Sequence, residues 1–227
     1  MSDFKFPSWR QRLVRSLHIN RSQPQSKYFQ VASISVDGLP KNRTMVFRGF
    51  IPDSLNLISV TDIRSEKVSD WLSTTPKKFE ICWYFAGSRE QYRIAGHVSL
   101  VSNDTLKDEN GAHSKRQSAF FSEKFLHQQW ANLSRGAQEQ FLWPSPKAPF
   151  DSKVDEADIQ TKETNNESQV NNSANSNKAE SAFDINDHFC VVIFTPLSVD
   201  YLNLKGSPQL RCLSDFENDW LEAVVNA

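Results

Sequence analysis

The chain has 227 residues, of which 38% are hydrophobic, which is enough apolar surface to bury one core of ordinary size. Its 26 Lys and Arg residues balance 27 Asp and Glu residues, so no overall field would draw it onto nucleic acid or an anionic membrane. The N-terminus lacks the apolar stretch of a signal peptide and no run approaches transmembrane length, so we expect a cytoplasmic protein.

The first part of the chain reads as a helix followed mainly by strands. Trp9, Leu13 and Leu17 recur four residues apart, which is the spacing of an amphipathic helix over residues 7–20. Alternating and β-branched segments predict strands, and the helical spacing before Pro76 predicts a short helix. The predicted strands before residue 102 are 28–36, 42–50, 55–61, 78–85 and 91–101, and the short helix is 64–73.

The second part of the chain changes from helical spacing to a polar segment and then to strands. Apolar residues recur with helical spacing over 114–142, where Gly136 is a candidate boundary between two helices. Residues 151–182 are almost wholly polar and predict a disordered insert, because such a segment buries too little to offset its ordering entropy. Two late strands, 187–195 and 198–204, then return. Residues 1–150 and 183–227 are therefore expected to form one mainly β domain, a closed antiparallel barrel with peripheral helices.

One candidate binding segment is the predicted strand at residues 43–48, which has an arginine at each end. A period of two places Arg43, Met45 and Phe47 on one face, and Val46 and Arg48 on the other. Two edge arginines that reach solvent along their aliphatic stems are the simpler interpretation of the same pattern.

A second candidate segment, residues 61–67, joins a strand to the start of a helix. The free N–H groups of a helix N-terminus, the hydroxyls of Thr61 and Ser65, and the cations of Arg64 and Lys67 together predict a phosphate cradle. A helix cap by Ser65 or Asp62 is the alternative, and it is compatible with anion binding at the same helix end.

A third segment runs from Trp83 to Gly96. Gln91 enters an otherwise apolar strand there, where its amide is able to pair with the edge of a heterocyclic ring. A glutamine that faces solvent on a barrel strand is the alternative. Neither the three cysteines nor the five histidines show metal-ligand spacing, so no metal site is predicted.

In this order and spacing, the three segments resemble the FMN-binding core of pyridoxamine 5'-phosphate oxidase-like proteins. That family shows R-x-x-x-x-[K/R], then a strand ending in Thr that leads to S-R-K, then W-x-x-x-x-R-Q-V-x-x-x-G. The resemblance is closest to a subfamily with N-R-T-x-V-F-R-G-F, T-D-x-R-S-x-K and E-I-C-W-Y-F-x-x-x-R-E-Q-x-R-x-A-G, which this chain matches almost letter for letter. It covers roughly residues 7–150 and 187–213.

The resemblance implies an antiparallel, Greek-key-like FMN-binding split β-barrel that forms a homodimer with FMN at the interface. It implies that Arg43, Ser65 and Lys67 bind the phosphate and that Arg64 supplies a second guanidinium. Residues 130–135 of the second subunit would close over the cofactor. The full implied cofactor-binding set is Arg43, Thr44, Met45, Val46, Phe47, Arg48, Val60, Thr61, Arg64, Ser65, Lys67, Gln91, Ser134, Arg135 and Arg211.

The departures from the family bear on activity. Oxidase members carry Lys at the place of Arg48, Arg at the place of Glu66 and Trp at the place of Leu202. They also carry an R-x-H near the C-terminus, where residues 208–211 contain no histidine. We expect Glu66 to face solvent, because a carboxylate aimed at a phosphate is unfavourable. Arg211 stays a candidate contact to the flavin or to a substrate anion.

Three functions stay open at this point. The first is an FMN-dependent oxidoreductase with a small-molecule substrate and oxygen as the acceptor, in which no side chain has to act as nucleophile or strong base. The second is a non-catalytic protein that carries or senses FMN or pyridoxal phosphate, which the missing histidine favours. The third is a scaffold that has lost its cofactor and recruits a partner through the insert.

Overall fold

The computed structural model describes residues 6–107, 122–150 and 184–227. The predicted insert at 151–182 and the first residues of the predicted helical region, 114–121, lie outside the described residues. Every helix in the described ranges is too short or too polar to cross a membrane. The described helices are α1 (Ser8–Ile19), α2 (Glu66–Ser73), α3 (Asn103–Lys107), α4 (Glu123–Ala131) and α5 (Arg135–Glu139).

Nine strands in the described ranges form one antiparallel sheet. The order β2-β1-β5-β6-β7-β4-β3 runs from edge to edge, while β8 pairs with the second half of β7 and β9 pairs with β8. The strands are β1 (Tyr28–Ile34), β2 (Pro40–Val46), β3 (Gly49–Phe50), β4 (Leu57–Asp62), β5 (Lys78–Phe85), β6 (Glu90–Val101), β7 (Phe189–Asn203), β8 (Leu210–Asp215) and β9 (Ala223–Val225).

The sheet curls until the edge strand β2 meets β4, which lies next to the other edge. The Arg48 N–H donates to the Ile58 carbonyl at 2.9 Å, and the Ser59 hydroxyl donates to the Val46 carbonyl at 2.8 Å. These bonds join the end of β2 to β4 and give a split barrel. The mainly β, antiparallel split-barrel fold predicted from the sequence is therefore confirmed.

Two apolar clusters hold the barrel together. The larger fills its interior with aromatic rings, among them Phe29, Trp83 and Phe194, and buries Trp9 and Leu13 of α1. The smaller cluster lies outside the barrel, where α4 covers β4 and the first half of β7. Burial of such rings is the main favourable term in the stability of the fold.

Three predicted boundaries were wrong. The strand predicted at 42–50 is broken, because the Phe47 N–H bonds to Lys27 and the Arg48 N–H to Ile58, so the chain changes partners there. Six strands, not five, thus precede residue 102. The strands predicted at 187–195 and 198–204 are one strand, since a bulge accommodates Pro196. Gly136 lies inside α5, which begins after Ser134.

Candidate functional site

Three predicted phosphate ligands lie together where β4 ends and α2 begins. The Lys67 ammonium donates to Thr61 Oγ1 at 2.8 Å and to Ser65 Oγ at 3.0 Å. Ser65 precedes the helix without capping it, and its hydroxyl instead donates to the Asp62 carbonyl at 2.7 Å. The first N–H groups of α2 therefore stay available to an anion.

Arg43 reaches the same place from β2. Its Nη1 donates to Ser33 Oγ at 2.7 Å, and its Nη2 lies 3.4 Å from a carboxylate oxygen of Asp70, which is buried on α2. Burial lowers the pKa of Arg43, while Asp70 and Glu66 act in the opposite direction. We call Arg43, Thr61, Ser65 and Lys67 the cradle.

The cradle lacks negative charge of its own. Burial, followed by the charge of Arg43, lowers the pKa of Lys67. Among the residues that the structure describes, no carboxylate oxygen lies within 4.0 Å of the Lys67 nitrogen. A half-buried ammonium whose partners are neutral hydroxyls favours an anionic ligand, which would restore the interactions lost with water.

The wider surroundings of the cradle also carry positive charge. Among the residues that the structure describes, five cations and three carboxylates meet around the first turns of α2, so their net charge is +2 when all are ionised. They are Lys41, Arg43, Arg64, Lys67 and Lys147 against Asp62, Glu66 and Asp70. A phosphate monoester carries about −1.5 to −2 at neutral pH, so the charges are complementary.

Arg64 forms an ion pair with its neighbour Asp62. Its Nη2 lies 2.6 Å from Asp62 Oδ2 and donates to the Trp143 carbonyl at 3.1 Å. Burial alone would raise the pKa of Asp62, but the hydrogen bonds from Arg64 outweigh it and the pKa is lowered. The role of Arg64 as a second phosphate guanidinium stays a prediction, and it would require this ion pair to be shared.

A cavity of about 170 Å³ opens beside the end of β2. Three predicted residues line it, Phe47, Arg48 and Val60, and α4 supplies part of the wall. Arg48 has no carboxylate within 4.0 Å among the described residues, and burial lowers its pKa. Of the other lining residues, Asn132 and Leu133 belong to the predicted covering segment, whereas sequence reasoning missed Lys27 and Gln129.

The rest of the predicted β2 residues divide between the two sheet faces. The Met45 side chain is buried in the core, so only its backbone remains for a ligand. Thr44 is exposed opposite Gln30, and Val46 is half-buried opposite Tyr28.

Gln91 and Arg211 lie on the outer face of the sheet. Gln91 on β6 pairs with Leu202 on β7, which pairs with Arg211 on β8. Arg211 is held by Asp200 at 2.6 and 3.0 Å, and this hydrogen bonding raises the pKa of Arg211. Within the described residues, neither Gln91 nor Arg211 forms a hydrogen bond with the cradle.

The predicted covering segment, residues 130–135, packs on its own chain. Trp130 and Leu133 are buried in the cluster that α4 forms with β4 and β7. Ser134 precedes α5, and Arg135 pairs with Glu139 at 3.3 Å. Ser134 and Arg135 are exposed. Asn132 and Leu133 of this segment line the cavity of their own chain. That the segment closes over the cofactor of a second subunit stays a prediction.

A curled antiparallel sheet that closes between β2 and β4 beside a cationic cradle defines a split-barrel protein with a candidate anion-binding site. Residues 6–102 match the family model described as "Pyridoxamine 5'-phosphate oxidase, FMN-binding domain". The crystal structure of a pyridoxamine 5'-phosphate oxidase-related, FMN binding protein from Nostoc punctiforme PCC 73102 is similar, with a TM-score of 0.73 and 31% sequence identity. That similarity covers 99% of this chain and 100% of the other. The chain therefore belongs to the pyridoxamine 5'-phosphate oxidase-like family of FMN-binding split barrels.

Two further comparisons bear on the chain, the first on its family and the second on its fold alone. "Pyridoxine/pyridoxamine 5'-phosphate oxidase 2" of Arabidopsis thaliana is 29% identical over 222 residues, which are 96% of each chain. PhzG from Burkholderia lata 383, solved in complex with tetrahydrophenazine-1-carboxylic acid, has a TM-score of 0.66 at 14% identity. That match covers 100% of this chain and 97% of PhzG, and it supports the fold.

Proposed function

We propose that this protein binds FMN and holds the phosphate in the cradle of Arg43, Thr61, Ser65 and Lys67. The observation that carries the proposal is the half-buried Lys67 ammonium, whose hydrogen-bond partners are the hydroxyls of Thr61 and Ser65. The net positive surroundings and the uncapped start of α2 suit a phosphate monoester. The hydroxyl, ammonium and guanidinium donors of the cradle thus suit the phosphate of FMN.

The flavin would extend from the cradle along β2 toward the cavity at Phe47, Arg48 and Val60. The predicted ligands Gln91 and Arg211 lie on the outer sheet face, so they would reach a flavin only across the interface of the homodimer that we also propose. This face carries the exposed side chains of Tyr28 and Tyr84.

We further propose that the protein is an oxidoreductase acting on a small molecule. Bound FMN would supply the redox chemistry, while the protein binds the cofactor, orients the substrate and excludes water. Arg48 is the better candidate for a substrate anion than Arg211, because Asp200 already neutralises Arg211. The absence of histidine from residues 208–211 leaves the identity of the substrate open.

A non-catalytic carrier of FMN or pyridoxal phosphate is the second candidate. The ion pair between Arg211 and Asp200 favours this candidate. Arg211 is the one cation among residues 208–211, and the ion pair leaves it less able to bind a substrate anion. Oxygen-dependent turnover of pyridoxamine 5'-phosphate or pyridoxine 5'-phosphate by the purified protein would exclude this candidate.

The first test is the visible absorption spectrum of the purified full-length protein, followed by release and identification of the chromophore. We expect stoichiometric FMN. Lys67→Ala and Arg43→Ala should each raise the dissociation constant for FMN about tenfold or more, because each removes a charge-assisted contact worth about 1.5 to 3 kcal/mol.

Lys78→Ala is the matched control, since Lys78 is an exposed lysine on β5. It should leave FMN retention unchanged. A colourless protein that also fails to take up added FMN would reject the proposal, and unchanged binding in both cradle variants would reject the site.

A further inference from the structure

A proline-rich segment, residues 143–150, crosses the first turn of α2 beside the cradle. Arg64 donates to the Trp143 carbonyl at 3.1 Å, and the Lys147 ammonium lies 2.5 Å from a carboxylate oxygen of Glu66. Glu66 is the first residue of α2 and lies between Ser65 and Lys67 of the cradle. Two separate contacts therefore hold this segment at the rim of the phosphate site.

Lys147 occupies a backbone conformation that lysine rarely adopts. Its φ is +67°, and the Ala148 N–H donates to the Ser145 carbonyl at 2.9 Å, which closes a turn with Pro146 and Lys147 at its centre. This is the geometry of a type II turn, where proline suits the second position and glycine or asparagine the third. A lysine at the third position is strained, and glycine would relieve the strain.

The side chain of this strained residue joins a group of charges. Glu66 is shared between Lys147 and Lys41, whose ammonium lies 3.5 Å away on β2. The hydrogen bond from Lys147 is the main reason that the pKa of Glu66 is lowered. One carboxylate beside the cradle is thereby outweighed by two ammonium groups, so the rim becomes positive.

We propose that Lys147 is a phosphate-positioning residue, which Glu66 holds at the rim of the cradle so that its charge strengthens the field around the bound FMN phosphate. Strained residues persist where surrounding structure or function requires them, and the partner of this one is a carboxylate next to the anion site. The inference rests on the proposed function, because it assumes that the cradle binds the phosphate.

The test compares Lys147→Gly with the wild type by titrating FMN into the full-length apoprotein at low ionic strength, with the melting temperature measured in parallel. Glycine relieves the turn but removes the charge. We expect an unchanged or higher melting temperature together with a two- to fivefold higher dissociation constant for FMN, which shrinks as salt is added. An unchanged dissociation constant would overturn the proposal.

Two controls separate charge from backbone effects. Lys147→Arg keeps the charge and should bind FMN as the wild type does. Asp53→Gly relaxes another exposed residue with positive φ, 51°, in the turn between β3 and β4, and should not alter FMN binding. A loss of affinity in either control equal to that of Lys147→Gly would overturn the role of the Lys147 charge.

A double-mutant cycle then tests whether Glu66 holds Lys147 in place. In a Glu66→Gln background, Lys147→Gly should change the dissociation constant less than it does in the wild type, because the ammonium is no longer held. An equal change in both backgrounds would overturn the role of Glu66. If Lys67→Ala weakens FMN binding while Lys147→Gly does not, this inference alone fails; if neither variant weakens it, the proposed function fails as well.

Discussion

Gly96 ends the third motif, and the structure gives it a packing role. It lies on β6 opposite the bulge of β7, where the chain passes from Pro196 to Ser198. A Cβ atom at this position would lie 2.0 Å from the Thr195 carbonyl oxygen and 3.0 Å from the Leu197 nitrogen. Only glycine allows the two strands to approach this closely, so this motif residue serves the barrel rather than a ligand.

Gly96→Ala should destabilise the fold by about 2 kcal/mol or more, because both clashing atoms belong to the backbone and have little room to move. Gly136→Ala is the matched control, since a Cβ there meets nothing within 4 Å. Because Gly136 lies in α5, its replacement should stabilise by about 0.5 to 1 kcal/mol. Urea denaturation would measure both, and equal effects would contradict the packing role.

At the scale of elements, α1 is attached to the barrel by a buried polar network as well as by its apolar face. The Glu90 carboxylate on β6 accepts hydrogen bonds from Ser16 of α1 at 2.8 Å and from the Tyr201 hydroxyl at 2.7 Å. Tyr92 lies 2.8 Å from the same serine. Glu90 is only 8% exposed, so these donors replace the water that its carboxylate loses.

Tyr201→Phe should cost about 1 to 3 kcal/mol of unfolding free energy, because it leaves one oxygen of a buried carboxylate without its donor. Tyr84→Phe is the control, since its ring is 46% exposed on the sheet face. Chemical denaturation of both variants would test this. Equal stabilities would show that the hydrogen bond from Tyr201 to Glu90 contributes nothing to the stability of the fold.

The bounds of regular elements were predictable from local patterns, while their interruptions were not. Enrichment in aromatic and β-branched residues gave β5 and β6 almost to the residue, and the four-residue spacing of Trp9, Leu13 and Leu17 gave α1. The break after Val46 depends on partners, because the next two N–H groups bond to different parts of the chain. No local pattern encodes that exchange.

The candidate site divides in the same way. Thr61, Ser65 and Lys67 lie within seven residues of one another, so their spacing alone predicted that they meet. The spacing of Asp70 three residues after Lys67 was a signal for a further charge on the same helix side. The pairing of Glu66 with Lys147 joins residues far apart in sequence, and only the packing of the segment at 143–150 on α2 brings them together.

At the scale of the whole molecule, part of the outer sheet face is left exposed among the described residues. α4 covers β4 and the first half of β7. The outward-facing side chains of β1, β5 and β8 include apolar ones that are partly exposed. Tyr28 is 44% exposed, Tyr84 46% and Leu213 39%. Exposed aromatic residues on the same sheet face as the paired charges of Asp200 and Arg211 suit an interface with a second copy of the chain.

We therefore expect light scattering after size exclusion to give about twice the 26.0 kDa mass of one chain. Tyr84→Lys should shift the protein toward the monomer, because it places a charge in the apolar part of the face. Leu142→Lys, at a residue that is 67% exposed outside this face, should leave the dimer intact. A monomeric wild type, or equal effects of the two variants, would contradict the interface.

The same variant also tests whether the cofactor site depends on the dimer. If Gln91 and Arg211 reach FMN only across the interface, Tyr84→Lys should lose FMN in proportion to its loss of dimer, although the cradle itself is untouched. A monomeric variant that retains stoichiometric FMN would show that the cradle and the cavity of one chain are sufficient, and that the outer-face residues do not belong to the site.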